Sequence, residues 1–214
     1  MALNYQPLQK ITIELDENSP NLRYYKKAIS EFIDLFGMFV QFGGNPFLYP
    51  HIYELISFCK KKGVVNISLR LNSISAKNSE FLMSQNVSPV LFYLMSLNEK
   101  KHNKIYGNIS LFNDVIKSIN LMQKHSLNFE IGTIFTKENI SEIPNILKFA
   151  IKNGAKLFLV QRPSIFDMLK IEYNKISNLE YKKLMKFCIN KNQELKKKGI
   201  KLILGYMDPL TYIF

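Results

Sequence analysis

The sequence predicts an α/β fold: a partial, TIM-like barrel of the (βα)6 type, with parallel strands. Short runs rich in β-branched and aromatic residues alternate with segments of helical period along the chain, which is typical of parallel strands joined by crossover helices. The 214 residues are 47% hydrophobic, and no Pro-, Ser- or Gly-rich linker divides them. A chain of this size can bury a substantial core. We therefore predict a single domain over residues 1–214.

The predicted elements follow one another in regular order. Strands are predicted at residues 11–15, 38–42, 65–71, 90–95, 129–135, 157–160 and 201–204, where β-branched and aromatic residues cluster. Helices are predicted at residues 24–36, 51–62, 77–85, 111–125, 141–152 and 179–198, where apolar residues recur three and four positions apart. The lysine runs at 60–62 and 196–198 each precede a glycine. This is typical of a helix end, because glycine accepts the left-handed conformation there and cations favour the carboxyl terminus.

Composition argues against several functional classes. The net charge of +12 comes mostly from lysine, and arginine occurs only at Arg23, Arg70 and Arg162. Because specific nucleic-acid readers rely on arginine forks, we interpret the lysines as solvated helix faces and expect no specific nucleic-acid partner. No apolar run reaches the roughly 18 residues that span a bilayer, and the first residues lack a signal pattern. The sequence therefore predicts a cytoplasmic protein without a membrane partner.

Cysteine and histidine provide no evident metal site. Cys59 and Cys188 lie among apolar residues on separate predicted helices, so both are predicted to be core residues. The three histidines are scattered without metal-binding spacing: His51, His102 and His125. His102 is predicted to be a solvated residue of a Lys-rich loop, and Asp114 to face outward on a helix. We therefore expect no metal ligands.

The loop after the second predicted strand is the most informative stretch. Gly43-Gly44-Asn45-Pro46 follows a buried run and precedes an amphipathic helix. Two glycines allow the backbone to turn sharply and leave its polar groups open to a ligand. The stretch resembles the Gly-Gly-Glu-Pro loop of radical S-adenosylmethionine (SAM) enzymes, in which the Glu helps to hold the SAM ammonium. Asn45 would keep an acceptor oxygen at that position but not the charge.

Other stretches resemble the same family in the same order. Residues 11–15 followed by Asn21-Leu22-Arg23 resemble the strand and loop that carry Cys-x-x-x-Cys-x-x-Cys. Asn72 stands where the family often has Thr-Asn-Gly. Stretches beginning at Ser96 and Ile131 resemble its fourth- and fifth-strand regions, the former continuing through His102 and Tyr106-Gly107 to Leu111-Phe112. The resemblance covers about residues 8–165. The three cluster positions, however, hold residues that supply no thiolate: Pro20, Tyr24 and Lys27.

This resemblance implies a degenerate, cluster-free member of the family. We expect no iron–sulfur cluster and no required cofactor, with SAM as a weaker alternative ligand, and the missing cysteines argue against radical catalysis. The function implied is an accessory protein that binds a peptide or a partner enzyme in a peptide- or cofactor-maturation system. Two alternatives remain open: a non-radical enzyme acting on a carboxylated or phosphorylated small molecule, and a SAM- or nucleotide-binding regulator.

The predicted ligand site is the mouth of the barrel. In parallel barrels the loops after the strands form the ligand face, because free backbone amides and helix amino termini converge there. All three arginines fall near such strand ends, where a planar fork suits an anionic group; pairing with Asp16, Glu17 or Glu99 is the alternative. The predicted ligand-binding residues are Gly43, Gly44, Asn45, Pro46, Arg23, Arg70, Asn72, Ser96 and Arg162.

Overall fold

A computed structural model describes residues 10–35, 39–106, 111–163 and 176–207 of the chain. Within these ranges seven strands form one sheet in sequence order, and the strand pairs with assigned register are parallel. The strands are β1 Lys10–Leu15, β2 Phe39–Gly44, β3 Asn66–Leu71, β4 Val90–Tyr93, β5 Phe129–Ile134, β6 Leu157–Gln161 and β7 Ile203–Met207. The predicted parallel α/β architecture is confirmed. Met38, where the second strand was predicted to begin, lies outside the described residues, as does Gly107.

Helices connect the strands throughout. They are α1 Leu22–Leu35, α2 Ile52–Lys61, α3 Ala76–Ser84, α4 Glu99–Tyr106, α5 Leu111–Lys124, α6 Ile143–Lys152 and α7 Asn178–Lys197, with short 3-10 turns at Pro46–Leu48 and Ile140–Glu142. Helix α4 was not predicted, because its eight residues are mostly polar and only His102 and Ile105 are buried. The predicted glycine caps are present: Gly63 and Gly199 have φ of +80° and +66°.

The chain divides into two compact units, residues 1–90 and 91–214; the single-domain prediction remains a prediction. In the first unit, strands β1 to β3 alternate between an apolar and a polar face. Leu15, Phe42 and Leu69 are fully or almost fully buried on the apolar side. Thr12, Gln41 and Ser68 lie side by side on the other, as the parallel register dictates. This polar face leads to the ends of the three strands.

The second unit fills its interior with large side chains. Leu91, Tyr93, Met95, Ile105 and Ile134 form a buried cluster. The Tyr93 ring lies directly over Gly132, where a Cβ would be only 2.8 Å from the ring, and its hydroxyl donates a hydrogen bond to Gln161 Oε1. A larger residue at position 132 would displace the ring. The tyrosine and the glycine are therefore packed as a matched pair.

Both cysteines are buried, as predicted. Cys59 lies on α2 and Cys188 on α7. Burial raises the pKa of Cys59 to about 12 and that of Cys188 to about 11. In the described part of the chain, no three His, Cys, Asp or Glu side chains are grouped to hold a metal ion. None of the described helices is long and apolar enough to cross a membrane.

Candidate functional site

The turn after β2 can be made only by a glycine. Gly44 has φ of +75°, and a Cβ there would lie 2.5 Å from the carbonyl oxygen of Leu15 on the neighbouring strand. That same oxygen accepts a hydrogen bond of 2.7 Å from the N–H of Asn45. Any side chain at position 44 would therefore combine an unfavourable backbone conformation with a steric clash. Gly44 and Asn45 are both exposed, so this fixed turn is open to a ligand.

Gly43 is required for a different reason, which is space. It pairs in register with Glu14 of β1, and a Cβ there would lie 2.8 Å from both Arg70 Nη2 and Glu14 Oε2. Arg70, at the end of β3, donates from Nη2 to Glu14 Oε1 in an ion pair. This guanidinium–carboxylate pair thus lies against the bare backbone of Gly43. Sequence reasoning placed Arg70 at the site but offered Asp16, Glu17 and Glu99 as acidic partners, and missed Glu14.

Gln41 extends the site down the polar face of the sheet. It lies two residues before Gly43 and therefore on the same face of β2. The residue is only 7% exposed. Neither Gln41 nor Glu14 was predicted, although strict alternation along β1 and β2 would have placed both on the face of Gly43.

The side chain of Asn45 does not cap the turn that follows it. It precedes the 3-10 turn Pro46–Leu48 but makes no side-chain capping bond to it. Pro46 is buried at the start of this turn, where its missing N–H costs little. The Asn45 amide is therefore available at the rim formed by Gly43 and Gly44.

The loop after β1 is short and polar. Asn21 Oδ1 accepts a bond of 3.1 Å from the N–H of Tyr24, so Asn21 caps the start of α1. Arg23 is exposed on the first turn of this helix. The three predicted cluster positions are exposed as well: Pro20, Tyr24 and Lys27. Asn72, just after β3, is half-buried.

A second polar group occupies the ends of β4 and β5 in the second unit. Asn139 is fully buried and donates from Nδ2 to the carbonyl oxygens of Met95 and Ile134, both at 3.0 Å. Its Oδ1 accepts from the N–H of Thr136 at 2.7 Å. One side chain thus ties together the carboxyl ends of two strands and the turn before α6. The sequence did not single out Asn139 as a site residue.

Ser96, predicted at the mouth, belongs to this group. It is fully buried and donates to Glu142 Oε2 at 2.5 Å, while Lys101 forms an ion pair with the same carboxylate. Burial acts to raise the pKa of Glu142, but the hydrogen bonds from Lys101 and Ser96 outweigh it and lower the pKa below its usual range.

Arg162, after β6, lies over the ring of Tyr181 at 5.4 Å. The placement of the arginine forks as one anion site stays a prediction.

His102 contradicts the sequence prediction. It lies on α4 rather than in a loop and is fully buried. Its Nδ1 accepts a bond of 3.1 Å from the N–H of Met95, and its ring stacks on Tyr106 and meets Phe112 edge to face. Desolvation lowers its pKa to about 4. The ring is therefore neutral at neutral pH and fixes the end of β4. Asp114, on α5, is half-buried.

Comparison with known proteins places this geometry in a family. The radical SAM superfamily model matches residues 12–150. Two proteins named probable GTP 3′,8-cyclase are similar in sequence: one from Methanocaldococcus jannaschii is 30% identical over 64% of this chain and 47% of its own length. The other, from Sulfurisphaera tokodaii, is 27% identical over 56% of this chain and 39% of its own length. The chain therefore spans less than half the length of these curated relatives.

The fold is shared with solved structures. Streptococcus suis SuiB matches with a TM-score of 0.77 at 16% identity, over 94% of this chain and 49% of SuiB. SuiB has also been solved bound to SAM and to its precursor peptide SuiA. At this level of identity the similarity shows the fold, which confirms the predicted radical-SAM-like partial barrel.

The comparisons overturn two expectations from the sequence. The relatives carry the name of an enzyme, and the structural neighbours are radical SAM enzymes. The prediction of a non-catalytic accessory protein is therefore wrong, and the two alternatives beside it are not supported. The expectation of no iron–sulfur cluster and no required cofactor is also wrong, because members of the matched family normally bind a cluster and SAM.

The residues of this chain fit SAM but not an iron–sulfur cluster. The turn at Gly43–Asn45, open and with an unengaged amide, fits a small polar ligand such as SAM. Among the described residues, no set of side chains is grouped to hold a cluster. The sequence holds two cysteines, and both are buried on helices with pKa values far above neutrality. These thiols do not form a ligand set for a cluster.

Proposed function

The chain belongs to the radical SAM superfamily, and on that premise we propose that it forms the SAM-binding part of an enzyme. The observation that supports SAM binding is the turn at Gly44, which is fixed by its φ of +75° and by the Leu15 carbonyl, yet exposed. A rigid, open turn at the end of a parallel strand is pre-organised for a ligand. When bound, SAM supplies a reactive sulfonium centre. The residues of this chain bind and orient it.

Asn45 is the side chain of this turn that can recognise SAM directly. Its amide oxygen accepts hydrogen bonds and has no capping role, so it suits the SAM ammonium. The remaining predicted mouth residues, including Arg23, Asn72, Ser96 and Arg162, stay proposals as ligand contacts. These residues come from both compact units. A direct binding measurement is needed to test each of them as a ligand contact.

For the substrate, we propose a peptide. The face of β1 to β3 carries hydroxyl and amide groups, from Thr12, Gln41 and Ser68, next to one guanidinium and one carboxylate. Such a surface suits the alternating donors and acceptors of a peptide backbone, and SuiB, which shares the fold, has been solved with its precursor peptide. A nucleotide is the second candidate, because the sequence relatives are named as GTP cyclases. Because the paired Arg70 and Glu14 add no net charge to this face, the pair gives a triphosphate no net electrostatic attraction, which favours the peptide.

SAM binding is tested by isothermal titration calorimetry. We expect the wild-type chain to bind SAM and Asn45→Ala to bind it about tenfold more weakly, the effect of losing one hydrogen bond to a charged group. Asn190→Ala, at an exposed position on α7, serves as the matched control and should bind like the wild type. Unchanged affinity in Asn45→Ala would remove Asn45 from the site, and no binding by the wild type would contradict the proposed function.

Substrate class is tested on the SAM-loaded protein. Mass spectrometry of molecules that copurify with the native chain, followed by titration of the retained peptides and of GTP, separates the two candidates. Retention and saturable binding of peptide supports the first. Saturable binding of GTP without peptide binding would instead support the second.

A further inference from the structure

We propose that a groove between the ends of α2 and α3 docks an acidic segment of a partner protein, in which carboxylates flank one aliphatic side chain. The groove is lined by Lys60, Val64, Val65, Ile67 and Asn86. These residues belong to the first compact unit and lie around the amino-terminal end of β3. The candidate site lies at the carboxyl ends of β1 to β3. The groove is therefore a separate surface, and its occupant does not depend on SAM binding.

Two helix caps fix the walls of the groove. Gly63 follows α2 with φ of +80°, and Asn86 follows α3 with φ of +49°. Just beyond each of these residues the chain bonds back to its helix: the N–H of Val64 donates at 3.1 Å and that of Val87 at 2.9 Å. Backbone hydrogen bonds thus hold both walls in place. A groove that is already formed spares its ligand the cost of ordering it.

The floor of the groove is apolar and small. Val64 and Ile67 are buried, and Val65 is 66% exposed beside them. Val65 and Ile67 lie on one face of β3, opposite the face that carries Arg70, because side chains alternate along a strand. The cavity volume is about 260 Å³, less than that of typical small-molecule sites. It therefore suits one inserted side chain, which would also cover Val65.

A run of lysines borders the floor on the side of α2. Lys60 and Lys61 lie in the last turn of this helix, and Lys62 follows them. The ion pairs of the described residues include none of these three lysines. Cations stabilise the carboxyl end of a helix, which accounts for the position of the lysines. It does not account for an open apolar cavity next to Lys60.

An acidic segment with an aliphatic anchor matches both features of the groove. The anchor would fill the floor, and the flanking carboxylates would meet the lysines in charge-assisted contacts. A nucleic acid would satisfy the lysines but leave the floor empty, and an uncharged apolar segment would do the reverse. Binding energy at interfaces is concentrated where an anchor enters a pocket with a polar rim. On the opposite wall, the exposed amide of Asn86 can bond to the backbone of the docked segment.

The test uses two fluorescein-labelled peptides, Glu-Asp-Leu-Glu-Asp and Glu-Asp-Ser-Glu-Asp, titrated with the full chain by fluorescence anisotropy. The wild type should bind the leucine peptide at least about tenfold more tightly than the serine peptide, because only leucine fills the floor. Lys60→Glu should weaken binding of the leucine peptide by about tenfold. Val65→Ser should weaken it by about fivefold and leave binding of the serine peptide unchanged.

Lys124→Glu provides the matched control. Lys124 is exposed in the last turn of α5, in the second unit, so this substitution makes the same change of charge away from the groove and should leave peptide affinity unaltered. Thermal unfolding of each variant checks that it is folded, and SAM affinity should be the same in all of them. Equal weakening by Lys60→Glu and Lys124→Glu would reduce the attraction to the overall positive charge and overturn the inference. Equal binding of the two peptides, or no saturable binding of either, would also overturn it.

Discussion

Asn139→Ala should be among the most destabilising single changes in the second unit. The side chain is fully buried and makes hydrogen bonds to Thr136, Met95 and Ile134. Truncation leaves one backbone N–H and two carbonyl oxygens without this partner. A buried unpaired polar group costs about 1–3 kcal/mol, and partial rehydration of the new cavity offsets some of it. We therefore expect the free energy of unfolding to fall by about 3–5 kcal/mol.

Urea unfolding followed by circular dichroism measures this loss. Asn153→Ala is the control, because Asn153 Nδ2 also donates to a carbonyl, that of Phe149 at 2.8 Å, but its residue is only half-buried at the end of α6. It should cost less than about 1 kcal/mol. Equal losses in the two variants would refute the reasoning, because Asn139 bonds to three buried residues whereas Asn153 makes a single side-chain bond at a half-buried helix end.

Two further predictions concern the stability of the chain. His102 should make stability fall with acid: its pKa is about 4 in the folded chain against an ordinary 6.5, so below about pH 6.5 the unfolded state takes up a proton that the folded state refuses. Between about pH 7 and pH 5 the wild type should lose about 1–2 kcal/mol more than His102→Gln in urea unfolding, and parallel pH profiles would contradict this. Gly44→Val should lower stability by about 1–3 kcal/mol and by more than Gly63→Val, since Gly63 shares a positive φ but has open space around it. Equal melting temperatures would show that the Leu15 contact is not strained.

Local patterns in the sequence were sufficient for the strands, for every described helix except α4, and for the turn. Strand β3, for example, alternates polar and apolar residues, and its apolar residues are buried. The Gly43–Gly44 pair marks a turn because only glycine accepts such a position. Cys59 and Cys188 lie at helical spacing from apolar neighbours and are buried as predicted. These features depend only on residues that are close in sequence, so they can be identified from the amino-acid sequence itself.

Helix α4 and the burial of His102 could not be predicted from local sequence patterns. The residues of α4 are mostly polar, so the sequence resembles a solvated loop. Burial of His102 depends on Met95, Tyr106 and Phe112, which come from β4's end, from α4 itself and from α5. A histidine's surroundings, and therefore its charge, are set by whichever elements pack on it. The sequence carries no periodic signal for that packing.

For the candidate site, too, the sequence determined some features and the tertiary structure decided the others. The sequence by itself determined that a glycine turn ends β2 and that Arg70 ends β3. Only the tertiary structure decided that Arg70 pairs with Glu14, 56 residues away, and that Asn139 bonds to Met95, 44 residues away. Such pairs form because parallel strands from distant parts of the chain end at the same edge of a sheet. The register of the strands then decides which side chains face the site, because a shift of one residue would turn every side chain of a strand to the opposite face of the sheet.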